Sequence, residues 1–121
     1  MSDTTDSSAP IATEAPPEAI NASCRGPVLF LFFSAALWLV DAAGIGVLGS
    51  FKVHMPGFLA DCPLFTYGRL QANAWVAFLF GFAGNAGLGI TLWMLSRLRG
   101  MPLARPGFVV AGTILWNAGV T

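Results

Sequence analysis

The sequence predicts an all-α membrane protein, a transmembrane helix bundle. Three observations carry that prediction. Of 121 residues, 55% are hydrophobic and only 10% charged, against about 25% charged in a soluble domain. The mean hydropathy is +0.70. The apolar residues also gather into long runs separated by short polar, basic or proline-bearing stretches, and only helices or closed barrels satisfy backbone groups inside lipid.

Taken in chain order, residues 1–25 begin as MSDTTDSSAPIATEAPPEAINASC, rich in Ser, Thr, Ala, Pro and acids. With so little apolar surface to offset the entropy of ordering, they read as a disordered cytoplasmic tail. The acidic start lacks the cationic region of a secretory signal, so the next segment is expected to stay as an anchor. The transmembrane region is then 26–121. Its first helix is expected over about 28–49, 22 residues with one charge. A helix of that length spans about 33 Å, enough for a hydrocarbon core of about 30 Å.

The second helix is expected over about 72–96, uncharged, with Trp75 and Trp93 near its ends, where indoles favour the membrane interface. The third run, 107–121, reaches only about 22 Å. A free carboxylate would then fall inside the hydrocarbon, a costly placement, so the sequence reads as an amino-terminal fragment whose third helix is truncated. Arg25, Arg97, Arg99 and Arg105 fall on one side of the membrane, Lys52 and Arg69 on the other. Four against two places the amino terminus in the cytoplasm, with 50–71 outside, as expected for a bacterial inner membrane protein.

The net charge is zero, and no basic patch argues for nucleic acid. Cys24 and Cys62 flank the first helix on opposite sides, too far apart for a disulfide. The single histidine, His54, cannot build a metal site alone. No nucleophile, base and orienting group occur together, so the visible chain is not a self-sufficient enzyme.

Two features inside the spans stand out. Asn73, Ala77, Gly81, Asn85 and Gly89 recur at four-residue spacing on the second helix, with Gly84 and Leu88 beside them. Small residues permit close helix approach, and an amide there finds a partner across the interface. Asp41 is the only ionisable residue in the middle of a span. It either relays protons or couples transport, or it ties helices together by a hydrogen bond, for example to Asn85. The second reading is favoured, because no other intramembrane acid or histidine completes a relay.

The stretch FLADCPLFTYGRLQANAWVAFLFGFAGNAGLGITLWMLSRL resembles the first loop and second helix of subunit I of haem-copper respiratory oxidases. It is most similar to the C-type (cbb-type) cytochrome c oxidases and the related nitric oxide reductases. Tyr67, Gly68, Arg69 and Leu70 match the entry to helix two, LSRLRG its exit, and ILWNAGVT resembles helix three. The resemblance implies the first three helices of a bundle of about twelve, carrying haem and copper. The implied activity is electron transfer from a cytochrome c donor to oxygen, coupled to proton uptake. The implied partners are the lipid bilayer, the remaining helices and other oxidase subunits.

Arg69 is then expected beside a haem propionate. The family places a haem-ligating histidine four residues after the Leu of the motif, where this chain has Ala74. Either that haem is lost or held differently, or the chain is oxidase-like without the usual electron path. From another class, the residues also allow a small multi-helix transporter or assembly protein using Asp41 as its intramembrane acid.

Overall fold

The computed structural model describes residues 15–121, and every regular element among them is helical. Helix α1 is Pro17–His54 and α2 is Tyr67–Arg99. Helix α3 is Pro106–Val120, and a single 3₁₀ turn, Pro63–Phe65, lies in the loop before α2. Proline punctuates the chain. Pro17 and Pro106 stand in the first turns of α1 and α3, where a missing N–H costs nothing. Met55 precedes Pro56 and is driven to φ −131°, ψ 82°, which ends α1 at His54. Helix α2 ends in a Schellman turn. Gly100 adopts φ 62°, its N–H bonds Arg97 O at 3.2 Å, and Met101 N–H reaches Ser96 O at 3.4 Å.

Both long helices overrun the expected spans. Helix α1 has 38 residues and α2 has 33, about 57 and 50 Å at 1.5 Å per residue. The tail expected over 1–25 lies outside the described residues up to 14. From Pro17 it is helix rather than disorder. The cause is tertiary. Ile20, Cys24, Pro27 and Leu31 are buried at steps of four, three and four, and Ser23 Oγ accepts the Leu103 N–H at 3.0 Å while donating to Ile20 O at 2.8 Å. The connection between α2 and α3 therefore lies against the start of α1. It gathers Arg25, Arg97, Arg99 and Arg105 at one end of the bundle, where Arg97 covers Trp93 at 5.6 Å and Arg105 covers Phe108 at 5.7 Å.

The buried positions of α1 continue through Ser34, Ala35, Ala42 and Gly49, a spacing near 3.5 that keeps one seam against α2. On α2 the seam is Leu70, Ala77, Gly81, Asn85, Gly89 and Ser96. Four-residue steps overshoot a straight α-helix by about 40° each, so this stripe would wind off the interface. It stays because Ala77–Ala83 is a π segment, wider than an α-helix and turning less per residue. The large side chains point outward. Val40 is 72% exposed, Leu115 73% and Leu98 80%, the inverse of a water-soluble core and the surface a helix presents to lipid.

Candidate functional site

At mid-bundle one amide from each of two helices and one indole from the third meet. Asn85 of α2 is completely buried. Its Nδ2 donates to Gly81 O at 2.6 Å and to Asn117 Oδ1 of α3 at 3.1 Å. The same Asn117 Oδ1 accepts Trp38 Nε1 of α1 at 2.5 Å, and Asn117 Nδ2 donates to Thr113 O at 2.7 Å. Such amides hold helices together where lipid offers no alternative partner.

Glycines let the indoles in. A Cβ on Gly81 would lie within 2.8 Å of Trp38 Cβ, Cγ and Cδ2, and one on Gly84 would lie 3.2 Å from Trp116 Cζ2. The π segment supplies a further acceptor. Gly84 N–H bonds Leu79 O, so Phe80 O loses the donor it would have in an α-helix and takes Trp116 Nε1 at 3.1 Å instead.

Asn85 thus pairs with Asn117, and the hydrogen bond suggested between Asn85 and Asp41 does not form. Sequence reading overlooked Asn117 and Trp38 as its partners. The available signal was an amide within the apolar run ILWNAG, the same feature that had singled out Asn85. Asn73, first of the four-residue stripe, falls off the seam and is exposed.

Asp41 is exposed on the flank formed by α1 and α3. It lies where two grooves join. One, of about 470 Å³, is lined by Ser34, Leu37, Trp38, Asp41, Ile114 and Asn117 among others. The second, of about 170 Å³, continues past Asp41 to Ile45 and Asn73. A carboxylate at a helix centre costs about 2.5–3.5 kcal/mol on insertion scales, so lipid alone is a poor neighbour for this flank.

Arg69 stands in the first turn of α2 and is exposed. A cation there opposes the helix dipole by a few tenths of a kcal/mol, so helix stability does not account for it. One turn further on, Ala74 lines a groove of about 400 Å³ between α1 and α2, with Leu39, Ala42, Ala43 and Gly46 opposite and Gln71, Trp75 and Phe78 beside it.

The donor set does not fit an axially ligated haem. Alanine has no ligating atom, an indole N–H only donates, and the Gln71 amide is a poor substitute for imidazole or thiolate. His54, last residue of α1, donates Nδ1–H to Ser50 O at 3.0 Å. Among the described residues no three His, Cys, Asp or Glu side chains gather to hold a metal. Cys24 and Cys62 are free, Cys24 buried.

No protein-family profile matches the chain, and no solved structure matches it significantly. Two curated proteins do. One is the bacteroid cytochrome c oxidase subunit 1 homolog of Bradyrhizobium diazoefficiens, 28% identical over 103 residues, which are 80% of this chain and 19% of that protein. The other is the cytochrome c oxidase subunit 1 homolog of Azorhizobium caulinodans, 30% identical over 105 residues, 82% of this chain and 19% of that protein. The chain spans about a fifth of the length of these relatives. With two helices long and apolar enough to cross a bilayer, it is a membrane protein related in sequence to cytochrome c oxidase subunit 1 homologs.

Proposed function

We propose that these helices belong to a respiratory oxidase subunit I-like protein of the C-type, with its amino terminus in the cytoplasm of a bacterial cell. In this reading a cytochrome c donor supplies the electrons, other oxidase subunits complete the assembly, and oxygen is reduced with proton uptake. The observation that carries the reading is the similarity of four-fifths of the chain to two oxidase subunit 1 homologs. The entry motif Tyr67, Gly68, Arg69 and Leu70 supports it by opening α2.

Haem and copper, where bound, supply the redox chemistry. This chain's residues supply no iron ligand at Ala74. Were a haem bound nearby, Arg69 is the residue that would pair with a propionate, and its iron would have to be held by residues other than those around Ala74. An anion at Arg69 would also offset a cation that the helix dipole disfavours.

Membranes holding the full gene product are expected to show a haem band in reduced-minus-oxidised spectra and to consume oxygen with reduced cytochrome c. A silent spectrum would end the redox reading and leave the transporter or assembly reading, which Asp41 in its groove favours. The orientation is tested separately. Alkaline phosphatase fused within 56–61 is expected to be active and the same enzyme fused at 101–104 inactive, and the reverse pattern would invert the topology.

A further inference from the structure

We propose that the groove between the last two turns of α2 and the connection to α3 holds an anionic phospholipid, its phosphate on Arg99 and Ser96 and an acyl chain along Leu92 and Leu95. The proposal does not depend on the oxidase reading.

Leu92, Leu95, Ser96 and Arg99 follow one another at steps of three, one and three, and so share one face of α2. Opposite them Gly100, at φ 62°, turns the chain back, and the stretch from Met101 to Ala104 forms the second wall. Ala15 N–H on Gly100 O and Leu103 N–H on Ser23 Oγ, each at 3.0 Å, hold that wall against the start of α1. The groove between the walls has a volume of about 380 Å³.

Its chemistry changes along its length. Leu92 and Leu95 lie toward the middle of the bundle, and Arg99 stands about 10 Å beyond Leu92 along the helix. Trp93 and Phe108 are both exposed at this level, where aromatic rings mark the membrane interface. The groove therefore runs from hydrocarbon into the headgroup layer, as a phospholipid does.

Ser96 separates this site from a merely basic surface. It is only 7% exposed and lines the groove, yet its hydroxyl makes no hydrogen bond among the described residues. Ser50, Thr91, Thr113 and Thr121, by contrast, each donate to the carbonyl four residues back. Every described side-chain oxygen or nitrogen fully closed to solvent has a partner, so the unpartnered Ser96 Oγ opens into the groove. A hydroxyl donor one turn from a guanidinium suits the oxygens of a phosphate.

The charge agrees. Arg25, Arg97, Arg99 and Arg105 gather at this end, and Glu18 is the one acid there among the described residues, Asp41 being at mid-span and Asp61 in the outer loop. Arg97 and Arg105 are seated over Trp93 and Phe108, which leaves Arg99 as the arginine that lines the groove. Basic pockets at helix ends of this kind select anionic headgroups.

The test uses the full-length gene product in phosphatidylcholine vesicles that carry a trace of phosphatidylglycerol with a photoreactive diazirine in one acyl chain. After illumination and proteolysis, mass spectrometry is expected to find adducts on Leu92 or Leu95, competed away by unlabelled phosphatidylglycerol and not by phosphatidylcholine. Arg99→Gln is expected to lower the yield roughly tenfold, and Arg97→Gln, which removes the same charge away from the groove, less than that. Ser96→Ala changes no charge and is expected to lower it about threefold. An unchanged melting temperature in each variant excludes misfolding as the cause. No adduct within 92–104, equal labelling there by a photoreactive phosphatidylcholine, or a yield indifferent to Ser96→Ala would each overturn the proposal. Equal losses with Arg97→Gln and Arg99→Gln would overturn it in favour of surface charge alone, and labelling that appears only when Asp3, Asp6 and Glu14 are neutralised would give the groove to the chain's own amino terminus.

Discussion

Gly81→Leu is expected to lower the stability of the bundle by about 3 kcal/mol or more, the range of overpacking at a closed contact. Even a single Cβ at this position would lie within 2.8 Å of three Trp38 atoms. The indole cannot stay where it is once that atom is added. When it moves, Nε1 leaves Asn117 Oδ1, so a steric change on α2 becomes the loss of a hydrogen bond between α1 and α3.

The contrasting position is Gly87, where an added Cβ meets nothing within 4 Å. Gly87→Leu is expected to stay within about 0.5 kcal/mol of the parent. Reversible unfolding in mixed detergent micelles, followed by tryptophan fluorescence, separates the two. Combining Gly81→Leu with Trp38→Leu is expected to recover part of the loss, because the clash is shared between the two residues. An equal loss at Gly81 and Gly87 would show that helix flexibility, and not the Trp38 contact, governs both.

The seam was legible where chemistry alone sets it. Ala77, Gly81, Asn85 and Gly89 are small or amide residues in an otherwise bulky run, and all four are buried. The hydrogen-bond register that keeps them on one face was not legible. A π segment is selected by what α1 and α3 require of the surface of α2, and Phe80 O is satisfied by an indole 36 residues away. The same limit hid the start of α1. Residues 17–26 are polar enough to resemble a tail, and what holds them as helix is tertiary: the burial of Ile20 and Cys24 and the Leu103 N–H on Ser23 Oγ. Asp41 stands out in the sequence as the only ionisable residue in the middle of a span, but its neighbours depend on the azimuth of α3, which no local pattern in α1 encodes. At Ala74 the position came from family resemblance, and the groove adds the missing physics by surrounding that position with small and aromatic side chains and one amide.

Asn117→Leu is expected to release α3 from the other two helices while leaving α1 and α2 paired. Thr113 is the one buried residue of α3, and its hydroxyl is spent within the helix on Val109 O at 2.8 Å. The helix therefore depends on hydrogen-bonded side chains more than on apolar burial, chiefly Asn117 with Trp38 and Asn85, and Trp116 with Phe80 O. Leucine keeps the branched outline of asparagine, though it is bulkier, and leaves Trp38 Nε1 without an acceptor and Asn85 with Gly81 O alone. The expected cost is about 2 kcal/mol, since a buried donor left unpaired costs about 1–3 and interhelical bonds in membranes reach about 1.7. In hydrogen exchange, amides of 109–120 should lose protection while those of 31–49 and 81–96 keep theirs. Asn85→Ala should cost less, because Asn117 would still hold Trp38, and the double variant should fall short of additivity by about 1 kcal/mol. If exchange rose equally in all three helices, the amide pair would be a keystone of the whole bundle, and the two-helix seam of α1 and α2 could not stand without it.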